Sequence, residues 1–148
     1  MHLPLAQLPA QLQRGLAPLY LLHGDEALLV EEAADAIRAA GRAAGHTERH
    51  VFVASATRFD WSAVLAAGGS LSLFAERQTV EIRVPSGKPG KEGGAALQQV
   101  AAGAEPGGAT LTLVILPKLD KATRGSPWFG ALADAGVAVQ VDAVERAA

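Results

Sequence analysis

The stretch Leu111-Thr112-Leu113-Val114-Ile115-Leu116 is the strongest strand signal in the chain, and it decides the fold class. Apolar and β-branched residues follow one another until Pro117 ends the run. Such an unbroken run is typical of a strand that is covered on both faces, as the strands of a parallel sheet are. A second run of this kind, Leu19-Tyr20-Leu21-Leu22-His23, ends at Gly24. We therefore predict that both runs are buried central strands of one sheet.

Three further segments are predicted as strands, at residues 50–53, 78–84 and 137–141. Helical patterns separate the five strands, and the clearest is the stripe Leu29, Ala33, Ile37 and Ala40. Asp25 and Asp60 are the predicted N-caps of two of these helices. Strands that alternate with helices imply right-handed crossovers. The sequence therefore predicts a three-layer α/β fold, with a mainly parallel five-stranded sheet and helices on both faces.

The boundaries of the domain follow from the same patterns. Residues 1–141 contain all the predicted elements, whereas 142–148 form a polar, alanine-rich tail that we interpret as a linker or the end of a piece.

Two further patterns concern the middle of the chain. Val80, Ile82 and Val84 alternate with polar residues, which predicts one apolar face for the strand at 78–84. Four Gly or Pro residues precede Lys91 in the segment 85–94, which we expect to be a mobile loop.

Composition excludes several classes of function. The chain has 148 residues, 13 Lys and Arg against 15 Asp and Glu, a formal net charge of −2 and no Cys. This balance excludes a domain coated in positive charge that grips nucleic acid unaided. The absence of Cys excludes a disulfide framework, a thiol nucleophile and a thiolate metal site. No signal peptide or apolar run of about 18 residues is present, so we expect a cytoplasmic protein that does not enter a membrane.

The loop after the first predicted strand lacks the groups of a nucleotide hydrolase. A phosphate-binding loop needs several glycines followed by Lys and Ser or Thr, but Gly24 is followed by Asp25 and Glu26. The central strand ends in Pro117 and Lys118, where such an enzyme has a magnesium-binding acid, and Asp120 lies too far on. We therefore predict no catalytic residue and no bound cofactor.

The remaining polar residues give weaker signals. The histidines lack the spacing of metal ligands on one helix, so we predict no metal site and interpret each as a surface or strand-end residue: His2, His23, His46 and His50. Basic residues gather in two loops: Arg83, Lys88 and Lys91, then Lys118, Lys121 and Arg124. Such groups occur in solvated loops, the commoner case, and at phosphate contacts, and the sequence leaves both open.

The connection Ser70-Leu71-Ser72-Leu73-Phe74 is unusually apolar. Connections between elements normally lie on the surface and are polar. Leu71, Leu73 and Phe74 can either fold under the sheet as core residues or form an exposed anchor for a partner's pocket. Composition alone favours the core interpretation.

The order of these features resembles the N-terminal domain of the delta subunits of bacterial DNA polymerase III, the clamp-loader subunits that open the sliding clamp. No single motif is decisive, and the resemblance rests on joint order and spacing from the first helix to the last strand. The residues that carry it are Ala10-Gln11-Leu12 with Gly15-Leu16, Tyr20-Leu21-Leu22 with Gly24, Asp60-Trp61, Ser72-Leu73-Phe74-Ala75 with Arg77-Gln78-Thr79, and Trp128-Phe129 with Ala131-Leu132-Ala133.

The resemblance implies an AAA+ ATPase-like fold with a degenerate nucleotide site. It also implies a clamp-binding site on the apolar connection at residues 70–74. Members of the family bind the sliding clamp, the beta subunit, through an apolar Leu-Phe pair, which corresponds to Leu73 and Phe74 with Leu71 beside them. Ser70 stands where a Gln is common. The implied function is to bind the clamp and help open the ring during replication. Other clamp-loader subunits would be bound through further domains, and DNA only indirectly.

An alternative hypothesis from another class is a P-loop-like nucleotide-binding enzyme with an atypical phosphate loop at residues 24–28. Nucleotide binding would favour this enzyme, whereas capture of the sliding clamp would favour the replication protein.

Overall fold

The computed structural model describes residues 1–54, 59–69, 77–105 and 108–141, and these residues contain one five-stranded sheet. Its strands lie in the order β2-β3-β4-β1-β5, and every neighbouring pair is parallel. The two unbroken apolar runs are β4 and β1, which lie inside the sheet as predicted. The strand bounds are β1 (Leu19–His23), β2 (Glu48–Val53), β3 (Gln78–Arg83), β4 (Thr110–Leu116) and β5 (Val137–Gln140).

Helices cover both faces of this sheet, which confirms the predicted three-layer α/β fold. Their bounds are α1 (Leu8–Arg14, after a 3-10 turn at Leu5–Gln7), α2 (Ala27–Ala43), α3 (Trp61–Gly69), α4 (Gly90–Ala102), α5 (Lys121–Arg124) and α6 (Pro127–Ala135). α3, α4 and α6 pack on one face, while α1 and α2 pack on the other. Among the described helices, none has both the length and the apolar character needed to cross a membrane.

Two apolar layers result from the alternation of side chains along the strands. Leu19 and Leu21 of β1 contribute to the layer under α3, α4 and α6, where Trp61 and Phe129 are also buried. Tyr20 and Leu22 contribute to the opposite layer, under α1 and α2. Because β1 is buried on both faces, every residue of the strand is apolar except His23 at its end.

The two edges of the sheet differ in what covers them. On the outer side of β5, the Leu3 N–H donates to the Ala138 carbonyl and the Ala138 N–H donates to the Met1 carbonyl, each at 2.8 Å. The N-terminal residues thus continue the sheet by one parallel bridge, between His2 and Ala138. β2 forms the other edge and pairs with β3 alone among the described strands.

The predicted mobile loop at 85–94 is wrong over its second half, because α4 already begins at Gly90. Gly93 and Gly94 are buried where α4 meets two tryptophan rings. A Cβ at Gly93 would lie 2.7 Å from ring carbons of Trp61, and one at Gly94 would lie 3.2 Å from Cδ1 of Trp128. These glycines therefore permit close packing within a helix, whereas the sequence pattern indicated a loop.

The apolar face predicted for β3 is confirmed, because Val80, Ile82 and Val84 are buried in one layer. The polar residues Thr79 and Glu81 on the other face are buried as well, under α2.

We predict that Gly93→Ala destabilises the chain by about 1–3 kcal/mol, because the added methyl would overlap the Trp61 ring in a packed interior. Gly130→Ala is the matched control, since it lies within α6 and a Cβ there would meet nothing within 4 Å. It should stabilise the helix by about 0.5–1 kcal/mol. Urea unfolding of both variants measures this difference, and equal effects would contradict the assigned contact.

Candidate functional site

The sequence-predicted binding residues Leu71, Leu73 and Phe74 lie in the segment 70–76, which is outside the described residues. The structure does describe what holds the two ends of this segment. α3 ends at Gly69 before it, and β3 begins at Gln78 after it. Eight residues, 70–77, therefore connect the C-terminal end of a helix to the amino-terminal end of an internal strand.

The helix before the segment is fixed by its first turn. Asp60 accepts hydrogen bonds from the backbone N–H and the hydroxyl of Ser62, as predicted for an N-cap. Trp61 is buried against α4, and its ring meets Phe59 edge to face with centroids 4.9 Å apart. Val64, one turn later, is buried in the same layer. These contacts fix the position of α3 relative to the sheet.

The strand after the segment is equally fixed. Arg77 donates from Nη1 to the Ala44 carbonyl at 2.8 Å, which ties it to the end of α2. The Gln78 carbonyl accepts from Nδ1 of the buried His46 at 2.9 Å, and its side-chain amide donates to Thr110 Oγ1 at 3.2 Å. The segment 70–76 thus connects two rigid attachment points.

A separate cleft of about 540 Å³ opens at the carboxyl ends of β1, β3 and β4. This is the edge where open α/β sheets commonly bind ligands. Val30, Ile115 and Leu116 form apolar parts of its lining, and Glu31 and Arg83 contribute charges. The cleft lies at the carboxyl ends of the strands. The segment 70–76 precedes β3 and therefore attaches at the opposite, amino ends.

One of the loop amides that a phosphate would use in this cleft, that of Glu26, is engaged within the chain. The Glu26 N–H donates to the Val141 carbonyl at 3.2 Å, and the Val141 N–H donates to the His23 carbonyl at 2.6 Å. The Val141 carbonyl lies so close to Gly24 that a Cβ there would be 1.8 Å from its oxygen. Val141, which follows β5, therefore lies over the loop between β1 and α2 and takes the Glu26 N–H that a phosphate would need.

Two acids near the cleft have roles that differ from the prediction. Asp25 is not the N-cap of α2, because Glu26 holds that position without a side-chain capping bond. The Asp25 carboxylate instead lies 3.6 Å from Lys118 Nζ. Asp120 caps α5 by accepting from the Thr123 N–H at 2.7 Å, and hydrogen bonding to Thr123 lowers the pKa of Asp120.

A cluster of charges beside the cleft was not predicted. Glu81 on β3 is fully buried, and its carboxylate accepts from Arg38 at 2.6 Å, from Arg83 at 2.8 Å and from Arg49 at 3.2 Å. Arg83 also donates to both carboxylate oxygens of Glu31, at 2.6 and 3.1 Å. This Glu81 cluster joins α2, β2 and β3, and its Arg83 end lines the cleft.

The arginines keep the acids of the cluster charged. Burial alone would raise the pKa of Glu81, but hydrogen bonds from Arg83 and Arg38 outweigh it, so its pKa lies below its ordinary value. A hydrogen bond from Arg83 likewise lowers the pKa of Glu31, and the bond to Glu31 raises the pKa of Arg83. A charge this deeply buried requires such pairing. Glu31, Asp35 and Arg38 are spaced so that they share one face of α2, and this spacing is the sequence pattern that indicates such a cluster.

The histidines and basic loops have mixed outcomes. His46 was predicted as a surface or strand-end residue but is buried on Gln78, and no group of three or more His, Asp or Glu suited to a metal occurs in the described part of the chain. His23, at the end of β1, is buried edge to face on Phe129 at 5.1 Å. The exposed Lys88, Lys118, Lys121 and Arg124 share the carboxyl edge, whereas Arg83 belongs to the Glu81 cluster.

Comparison with known proteins identifies the group to which the chain is similar. A family model described as DNA polymerase III, delta subunit, matches residues 20–142. DNA polymerase III subunit delta of Escherichia coli (strain K12) is 36% identical over 141 residues. That alignment covers 95% of this chain and 40% of the relative, so the chain spans about two fifths of its length.

Solved structures show the same fold. The Bacillus subtilis DNA clamp loader delta protein matches with a TM-score of 0.72 at 20% identity, over 95% of this chain and 43% of that one. A DNA polymerase III gamma subunit-related protein of Thermotoga maritima matches with a TM-score of 0.55 at 10% identity, over 97% and 46%. The predicted likeness to clamp-loader proteins is therefore confirmed at the level of fold.

We predict that the chain does not bind ATP with micromolar affinity. The loop after β1 lacks Lys and Ser or Thr, and its Glu26 amide donates to Val141. Calorimetric titration with ATP and Mg²⁺ tests this, with an active P-loop ATPase as the positive control. A micromolar dissociation constant would support the alternative enzyme hypothesis.

We predict that Glu81→Gln lowers the free energy of unfolding by about 3–5 kcal/mol at neutral pH, because it removes the buried charge on which Arg38, Arg83 and Arg49 converge. The pKa of Glu81 is depressed in the folded state, so its stabilisation is fully present above its ordinary value of 4.5 and declines as the pH falls below that value. The difference in free energy of unfolding between the variant and the parent chain should therefore become smaller as the pH falls below 4.5. Glu32→Gln, an exposed change on α2, should alter stability by less than about 0.5 kcal/mol.

Proposed function

The chain belongs to the DNA polymerase III delta-subunit family, and from this membership we propose that residues 1–141 form the sliding-clamp-binding domain of a replication clamp loader. The observation that carries the proposal is the match of the family model over residues 20–142, which includes the apolar segment between α3 and β3. The domain would act by binding, with no catalysis of its own.

The proposed contact is made by Leu73 and Phe74, with Leu71 beside them. Two anchored attachment points support this assignment: α3 is fixed through Trp61, and the start of β3 is fixed through Gln78. Binding costs less free energy when less conformational freedom is lost, and fixed ends on either side of the pair would reduce that loss. In this proposal the two side chains enter an apolar pocket on the clamp.

The energetic scale of the contact suits a specific interaction. Fully burying a large apolar side chain stabilises by about 1.5–3 kcal/mol, so the pair would contribute roughly 3–6 kcal/mol. The contact would favour an open clamp to the extent that the pocket binds the pair more tightly in the open state than in the closed one. Opening of the ring is the proposed consequence of binding, and the remainder of a full-length protein would connect the domain to other clamp-loader subunits.

The cleft at the carboxyl edge has no part in this mechanism. The clamp contact would be made from the amino end of β3, so binding would not require a nucleotide in the cleft. Association with DNA would be indirect, through the loaded clamp, and the complex would act in the cytoplasm.

We predict that the double variant Leu73→Ala, Phe74→Ala weakens binding to the sliding clamp by on the order of a hundredfold or more. Titration of the clamp by surface plasmon resonance measures the affinity, and urea unfolding measures the stability of the same variant. Leu28→Ala is the matched control, since Leu28 is a large apolar residue that is 66% exposed on α2. Unchanged clamp affinity, or unfolding of the double variant, would show that the pair belongs to the core.

A further inference from the structure

The outer edge of β2 combines two features that are rarely left together on a protein surface. The side chains of Arg49, Val51 and Val53 are 48%, 45% and 46% exposed. Their backbone groups point away from the sheet, because the Ala54 N–H donates to Arg83 on β3 and the direction of strand hydrogen bonds alternates with every residue. These three residues therefore present two apolar side chains, one cation and a row of main-chain donors and acceptors.

Among the described residues, the outer half of this edge, Val51 and Val53, lacks the devices that normally prevent strand pairing. Proteins protect edge strands with Lys, Pro, bulges or a covering segment. Residues 48–53 contain no Lys or Pro, and six consecutive residues pair with β3 in unbroken register. On the other side of the sheet, residues 1–3 cover β5. Within the described ranges, no strand provides the same cover for β2.

The charge beside this edge identifies the chemistry of its partner. Arg49 reaches Glu81 at 3.2 Å, a longer contact than those of Arg38 and Arg83, and about half of its side chain is exposed. Arg49 contacts Glu81 through Nη2, and its side chain is half exposed. Its guanidinium can therefore also donate to an incoming carboxylate while the contact with Glu81 is kept, and Val51 and Val53 would face apolar side chains of the incoming segment.

We propose that the β2 edge is a docking site for an extended segment of a partner protein, which adds a strand to the sheet. The segment would carry a carboxylate across from Arg49 and β-branched apolar residues across from Val51 and Val53. Main-chain hydrogen bonds would supply affinity, and the alternate side chains would supply specificity. This site is separate from the proposed clamp contact and does not depend on it.

Two soluble peptides test the proposal with the whole 148-residue chain. Each has Glu, Val and Val at alternate positions with Thr between them, one with Glu first and one with Glu last, for the two strand directions. We expect one of them to bind and to slow hydrogen exchange at the Val51 and Val53 amides, as followed by NMR. Replacing its Glu by Lys should weaken binding roughly two- to fivefold. Methylating the peptide's backbone nitrogens that face β2 should abolish binding.

The matching change in the protein is Val51→Lys, because a lysine on an edge strand disfavours pairing with another strand. It should weaken peptide binding by about tenfold or more. Leu28→Lys, at an apolar position on α2 that is more exposed than Val51, is the control that should leave peptide binding unchanged. Clamp binding by Val51→Lys should equal that of the parent chain, which separates this site from the clamp contact. The proposal is overturned if neither peptide binds, or if Glu and Lys peptides bind equally. Concentration-dependent protection of Val51 without peptide would also overturn it, in favour of a second copy.

Discussion

The architecture depends on one constraint, which is that a parallel sheet must be covered on both of its faces. β1 and β4 are covered on both faces by apolar layers that lie under the helices. Toward β2 the helical cover on the α2 face becomes incomplete, and the apolar layer ends at Glu81. The Glu81 cluster replaces apolar packing at that point, since α2 carries arginine and acidic side chains there. Beyond it Val51 and Val53 stay half exposed.

The sequence was sufficient to predict the elements whose buried positions are filled almost entirely by apolar residues. Unbroken apolar runs identified β1 and β4, and the stripe of α6 placed Trp128 and Phe129 in the core. The errors arose where tertiary contacts override a local preference. Gly93 and Gly94 indicate a loop by composition, but two tryptophan rings need the space that their missing side chains leave. No local pattern contains that information.

The polar residues of the candidate sites were harder to interpret for the same reason. Asp25 has the sequence context of an N-cap, yet the Val141 carbonyl takes the Glu26 donor and Asp25 pairs with Lys118. Glu81 alternates with valine and isoleucine, which is the pattern of a solvent-facing residue, and only the position of α2 shows that it is buried. The segment that contains Leu73 and Phe74 was identified by resemblance, because its composition alone favoured the core.

The Glu81 cluster also sets the register of the edge strand. β2 has few buried side chains to hold it in place, and Phe52 is only partly buried against the apolar layer. A shift of one residue would move Arg49 to the opposite face of the sheet and leave the Glu81 carboxylate with one arginine fewer. A buried carboxylate makes that loss expensive in free energy. The ionic contact therefore determines which residues of β2 face outward, and it fixes the exposed set as Arg49, Val51 and Val53.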